Sequence, residues 1–280
     1  MAVLQNAANL ATPTAGNKRG ASMKSKCVLR NVVFGAIALG FCTFVYSAGE
    51  ATPEMKGAAY PKGHYAALDK LPDWGGIWTI SFGAPGAKRE TPTLKGKYLA
   101  DYQAWKKDAD ANHGAGKKKG DNCTPPGMPY IMGVAQYPIE FMFTPGRVTV
   151  HHEAWMQWRN IFTDGRPHAD SEPSFYGDST GRWEGDTLVV DTVNIKPTVP
   201  LTPGMYHSDK IHITERFRLD PKNAEQMFIE VTVEDPEALA KPYTNIFAFT
   251  RSREYNLLEF ICAENDRNTL DAEGNTTFHE

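Results

Sequence analysis

From Tyr137 onward, hydrophobic and polar positions alternate with period two through most of the chain. The runs are Ile139–Thr144, Arg147–His152, Gln157–Thr163, Arg182–Trp183 leading into Thr187–Asn194, Lys210–Leu219, Gln226–Glu234, Tyr243–Arg251 and Tyr255–Cys262. They are rich in β-branched and aromatic residues, as strands are. Turn chemistry separates them, at Pro145-Gly146, Asp164-Gly165, Glu184-Gly185-Asp186 and Asp220-Pro221-Lys222-Asn223. Asp73 to Ile80 reads as a first short strand. Helical spacing stands out in one place, where Leu94, Tyr98, Tyr102 and Trp105 recur three to four apart and predict a helix from Thr93 to about Asp110. Residues 113–133, rich in Gly, Lys and Pro, read as a long surface excursion. No long helix separates the strands, which excludes a parallel βαβ architecture. The expected fold is all-β and mainly antiparallel: an up-and-down barrel with one N-terminal helix and long loops, with a β-sandwich as the alternative.

Strand parity singles out one acid. In Lys210–Leu219, Glu215 shares a face with Ile211, Ile213, Phe217 and Leu219, while His212, Thr214, Arg216 and Arg218 take the other. A carboxylate on an apolar face must be paired, protonated or facing a cavity. Two readings follow: a general acid or base in a ligand cavity, or a buried pair with Arg159, Arg182 or Arg251. In the next strand Met227, Ile229, Val231 and Val233 share the inner face, with Asp235 at its end. In the last run Tyr255, Leu257, Glu259 and Ile261 share a face, which would bring in a second acid.

The N-terminal region reads as an export signal. Lys18, Arg19, Lys24, Lys26 and Arg30 precede any acid, Val32 to Tyr46 runs 15 residues without a charge, and Ser47-Ala48-Gly49-Glu50-Ala51 supplies small residues for cleavage. The apolar run is short for a membrane span, which needs roughly 20 residues. The expected division is a signal peptide over 1–48, a linker over 49–70 and a single antiparallel β domain over 71–280, with no membrane span after cleavage. The protein is thus expected in the periplasm or secreted. Composition is that of a globular chain, with 41% hydrophobic, 22% charged and 11% aromatic residues. Cleavage after Ala48 leaves 232 residues carrying 25 basic and 33 acidic side chains, which argues against a nucleic-acid partner. It also leaves two cysteines, Cys123 and Cys262, expected to form one long-range disulfide in an oxidising compartment or else to lie buried as free thiols.

The short chemical motifs are weak. Gly177-Asp178-Ser179-Thr180-Gly181 matches G-x-S-x-G, but no helix follows, so a Gly-rich turn is expected rather than a nucleophile elbow. His151-His152-Glu153 and His207 to His212 suggest metal ligands, yet adjacent histidines on a strand point to opposite faces. No zinc or calcium spacing appears, so no metal is expected. Phosphate-cradling glycine loops are absent from the sequence, and no cofactor is expected. Aromatic residues are plentiful and serve either as core or as the lining of an apolar pocket.

The tract Gly177–Thr192, GDSTGRWEGDTLVVDT, resembles a block in an uncharacterised family of exported bacterial proteins, G-H-S-x-G-R-W-E-G-D-T-L-V-V-D-T. Ile161 to His168, His207-Ser208-Asp209 followed by Glu215-Arg216, Leu71 to Trp78 and Cys123 to Pro129 fit the same family, so the resemblance runs from about Leu71 to Asn265. The chain departs from it at Asp178, where the family block usually has His. Gly76-Ile77-Trp78 before a meander is similar to the G-x-W opening of lipocalin-like barrels.

Two functions fit. The leading one is a periplasmic barrel that binds a small apolar or aromatic molecule, with Trp183, Tyr176, Phe217 and Trp158 as ligand-binding candidates. The alternative is a cofactor-independent lyase, isomerase or hydrolase acting on a small organic substrate. Glu215 would be its acid or base, and Arg166, His168 or His207 would supply the partner or an oxyanion-stabilising charge.

Overall fold

A computed structural model describes residues 64–114, 116–117, 120, 123–134, 137–262 and 270–275. The expected signal and most of the expected linker lie outside them. The end of that linker folds as a 3-10 turn, Tyr65–Lys70, with the His64 side chain accepting the Ala66 N–H at its start. Among the described residues eleven strands and one α-helix follow: β1 Ile77–Ile80, α1 Gly96–Ala111, β2 Ile139–Thr144, β3 Arg147–His152, β4 Gln157–Phe162, β5 Asp178–Glu184, β6 Thr187–Val193, β7 Pro200–Thr202, β8 Met205–Tyr206, β9 His212–Asp220, β10 Asn223–Glu234 and β11 Tyr243–Ser252.

Nine of these strands close a barrel in the order β1-β11-β10-β9-β6-β5-β4-β3-β2, and β7 and β8 form a small separate hairpin. The barrel expectation holds, with one correction. Strand direction reverses at every antiparallel contact, so a closed ring needs an even number of reversals, and nine contacts force at least one parallel pair. That pair is β4–β5, where Ile161 faces Ser179 and Phe162 faces Thr180. The crossover between them, residues 163–177, contains no helix.

Closure also explains why the last predicted strand is missing. β11 pairs with β10 on one side and with β1 on the other, so no edge remains for Tyr255–Cys262, which runs irregularly over the surface. Glu259 is exposed there and brings no second acid into the barrel. The helix begins three residues later than its spacing predicts. The Lys95 N–H donates to the Ala238 carbonyl and the Thr93 carbonyl accepts from Ala240, so residues 93–95 are held extended. The expected turn at Gly177–Gly181 is confined to Gly177; Asp178 already belongs to β5, which makes a full hairpin with β6.

The registers carry one inward face around the ring. Leu188 opposes Phe217, Val190 opposes Glu215, Val231 opposes Glu215 from the other side, and Arg159 opposes Val150. The register shift in β9–β10 lies between Asn223 and Met227, beyond Glu215, so the parity read from sequence survives. Inward residues fill the barrel, among them Trp78, Phe141, Val148, Ile161, Leu188, Ile213, Phe217, Met227 and Ile229, each buried. Cys123 and Cys262 are joined as a disulfide that ties the loop before the 3-10 turn Tyr130–Gly133 to the segment after β11.

Candidate functional site

One end of the barrel is plugged. Trp74 is buried there against Phe141, Phe143, Trp183 and Phe217, with ring centroids 5.1–6.1 Å apart. Trp183 and Phe217, two expected ligand contacts, are therefore packed into this plug. A polar layer crosses the middle of the barrel. Arg159 and Glu215 are 2% and 0% exposed, so neither charge reaches water. The guanidinium donates from Nη1 to Glu215 Oε1 at 2.9 Å and from Nη2 to Oε2. It also donates from Nη2 to Thr192 Oγ1 at 2.9 Å and from Nε to Ser179 Oγ at 3.2 Å. Of the pairings open to Glu215, the partner is Arg159, and the bidentate fork occupies both carboxylate oxygens. Ser179, the serine of the G-x-S-x-G match, is a buried acceptor for Arg159 rather than a group beside an imidazole. The clefts at Arg89 and Phe247, at His207, at Trp105 and at Trp74 do not reach Glu215.

The other polar candidates lie elsewhere. His168, in the β4–β5 crossover, sits on the outer wall. Its Nδ1 is 2.8 Å from Asp178 and its Nε2 is 2.7 Å from Asp191, whose other oxygen meets His212 Nε2 at 2.6 Å. A neutral imidazole has one N–H and can donate only one of those two bonds, so the site favours the imidazolium. Burial opposes that charge, but the bonds to Asp191 and Asp178 outweigh it and raise the His168 pKa. Asp178 thus anchors the crossover, accepting from His168 and from the Ala169 N–H. Arg166 pairs with Asp164 at 2.6 Å and lies over the Phe162 ring. Glu215 faces inward while Asp191 faces outward, so the barrel wall separates Glu215 from His168. Trp158 is also outside: it alternates with inward Arg159, stacks on His151 at 3.9 Å and is 52% exposed.

The opposite end of the barrel is a capped mouth. Met128, Ile131, Met132, Val199, Leu201 and Met205 are buried over it. The cap approaches closely through Gly127, which has φ +66° and whose position would set a Cβ only 2.4 Å from the Phe175 carbonyl. The peptide bond Met128–Pro129 is cis. Beneath the cap, inward His152 stacks on Tyr176, and both His152 Nε2 and the Tyr176 hydroxyl are buried without a partner among the described residues. Burial, with the Arg159 and His151 charges, holds His152 down at about 3, so it stays neutral. His207 is buried, its Nδ1 is 2.6 Å from the Ser208 carbonyl, and its pKa is lowered by burial. It lines a cleft with Lys97, Tyr98, Asp101 and Tyr206. Behind it, Asp235 accepts from Ser208, Glu237 and Ala238 and holds the turn after β10.

A second cleft, of about 230 Å³, opens at the mouth between the cap and the inward face of β11. Tyr243, Asn245 and Phe247 form its floor, Pro129, Tyr130 and Leu201 its roof, and Arg89 its rim. Arg89 lies over the Phe247 ring at 3.7 Å. No family model and no curated protein matches the chain, so the resemblance of Gly177–Thr192 to an exported family rests on its motifs. Solved structures that it is similar to include a single-residue mutant of the fluorescent protein UnaG, at 14% identity over 67% of this chain and 99% of that one, TM-score 0.30. Another is a Schistosoma mansoni fatty acid binding protein in complex with arachidonic acid, at 11% identity over 65% and 98%, TM-score 0.32. At those scores neither carries an argument about what this chain binds.

Of the expected site residues, Trp183 and Phe217 meet at Trp74 and Cys123 is joined to Cys262, whereas inward Glu215 is divided by the barrel wall from His168 and Trp158. The mouth cleft draws instead on Arg89, Tyr130, Tyr243, Asn245 and Phe247. Tyr243, Asn245 and Phe247 were read only as part of a strand, and their shared face is seen in the register of β11 with β10; nothing local marked Arg89, which reaches the mouth through backbone pairing of Lys88 with Ile246.

Proposed function

We propose that this is an exported β-barrel protein that binds a small aromatic or apolar molecule in the cleft at the mouth of the barrel. One observation carries the reading. Side chains fill the barrel at the plug and at the Arg159–Glu215 layer. At the mouth, three inward positions of β11 open onto a cleft walled by aromatic and proline rings. A concave, largely apolar site with a few polar groups is the usual form of a small-molecule site. The disulfide between Cys123 and Cys262 fits an oxidising compartment, in line with the basic-then-apolar N-terminus.

The test is titration of the mature protein with a neutral environment-sensitive dye, N-phenyl-1-naphthylamine, alongside a Gly133→Leu variant. A Cβ at Gly133 already lies 3.3 Å from Arg89 Nη1 and 3.5 Å from Phe247, so a leucine fills the cleft. Saturable fluorescence enhancement that Gly133→Leu abolishes is the expected result. Equal enhancement in both proteins would remove the cleft as the site.

A further inference from the structure

We propose that the ligand of the mouth cleft is a small organic monoanion, an aromatic or aliphatic carboxylate, with Arg89 as its counter-charge. This rests on the reading of the cleft as a ligand site.

The cleft is one-sided in its polar chemistry. Among the described residues the Arg89 guanidinium meets no carboxylate within ion-pairing distance; its close neighbour is the face of Phe247. Packing against Phe247 covers part of the guanidinium and lowers its pKa. Arginine nevertheless stays charged, and Arg89 is exposed at the rim, so the side chain presents an accessible cation whose fork fits a carboxylate. The one acid in the same wall is taken: Glu90 pairs with Lys88 at 2.5 Å and accepts the Thr244 N–H.

The remaining polar groups reinforce donation. Asn245 Oδ1 accepts the Glu90 N–H at 2.8 Å, which settles the orientation of its amide and leaves Nδ2 as a donor. The Tyr130 and Tyr243 hydroxyls have no hydrogen-bond partner among the described residues, and burial raises both pKa values, so they remain protonated donors. Four sets of donors thus converge on a space whose other walls are Pro129, Leu201 and Phe247. Such a site takes an oxyanion on an apolar body. A single guanidinium with Glu90 beside it balances one negative charge. A phosphate monoester dianion would leave its second charge facing Glu90, so the carboxylate is the favoured source of that oxyanion.

The experiment is calorimetry on the mature, disulfide-bonded protein with phenylacetate, its neutral isostere phenylacetamide, and phenyl phosphate. The same titrations are run on Arg89→Gln and Arg89→Lys, with thermal melts to verify folding. Phenylacetate is expected to bind at least about tenfold tighter than phenylacetamide, the scale of a charge-assisted bidentate pair. Arg89→Gln should erase that preference by weakening phenylacetate far more than phenylacetamide, and Arg89→Lys should restore part of it. Equal affinity for acid and amide, or a preference that survives Arg89→Gln, overturns the anion assignment and leaves the cleft as a neutral ligand site. Tighter binding of phenyl phosphate overturns the monoanion. If neither phenylacetate nor phenylacetamide binds while the dye still does, the carboxylate proposal falls and the cleft reading stands; if the dye fails too, both fall.

Discussion

Removing Arg159 isolates what the buried ion pair does for the fold. Arg159→Met deletes the guanidinium at similar volume and leaves Glu215, which has no solvent exposure, without its counter-charge. The Ser179 and Thr192 hydroxyls lose a donor but still face each other at 3.0 Å, so most of the cost falls on the carboxylate. Breaking a buried pair from one side costs about 3–5 kcal/mol. At about 2–4 °C per kcal/mol for a domain of this size, the midpoint of thermal unfolding should fall by roughly 10 °C. Glu215→Met should cost a similar amount, because it strands the guanidinium instead. Arg159→Met combined with Glu215→Met leaves an apolar layer and should cost no more than about 1 kcal/mol, since apolar replacement of a whole buried pair is often neutral or better. Urea denaturation of the four proteins, followed by near-ultraviolet circular dichroism, closes the cycle. The singles should be strongly non-additive, with a coupling above about 3 kcal/mol. Singles that each cost under about 1 kcal/mol, or a double that costs their sum, would refute the account of Glu215 as a structural partner of Arg159.

Trp74→Ala should cost about 3–5 kcal/mol by opening the plug, whereas Trp158→Ala, on the outer wall, should stay within about 1 kcal/mol; equal costs in chemical denaturation would contradict the assigned faces. Cys123→Ser with Cys262→Ser frees a loop spanning 139 residues. The chain-entropy model puts the loss near 5 kcal/mol, and an unchanged urea midpoint would count against the crosslink. The His168 pKa is raised above its ordinary 6.5. Its contribution is therefore complete below about pH 6.5 and is lost as pH rises through the raised value. Amide protection factors in residues 163–177, corrected for the intrinsic exchange rate, should fall across that window, and Asp191→Asn should move the window down in an NMR titration of His168; protection that ignores pH would disprove the tether. Asp191 itself, lowered by His168 and His212 against its burial, contributes above its ordinary 3.8 and loses that contribution as pH falls through the lowered value. Acid release of the crossover should therefore appear only well below neutrality.

The period-two pattern by itself determined that the chain is a β protein. Parity placed Glu215 among Ile213, Phe217 and the other inward residues, because side chains alternate faces wherever no bulge intervenes. Parity could equally separate His151 from His152, and Cys123 and Cys262 were the expected crosslink, with two buried free thiols left open until the structure joined them. What pattern could not supply was closure. A ring is a property of all the strands at once, and it alone decided that Tyr255–Cys262 had no edge to join, that β4 and β5 run parallel, and that residues 93–95 are extended rather than helical. The partner of Glu215 was likewise undecided among Arg159, Arg182 and Arg251. All three are arginines on strands, and only the ring placed Arg159 within reach inside the barrel. The mouth cleft was the least legible feature. Arg89 and Tyr130 lie more than a hundred residues before Asn245 and Phe247, and neither carries a local signal. Only the bridge from Lys88 to Ile246 and the cap folded over the barrel bring the Arg89 guanidinium onto the ring of Phe247.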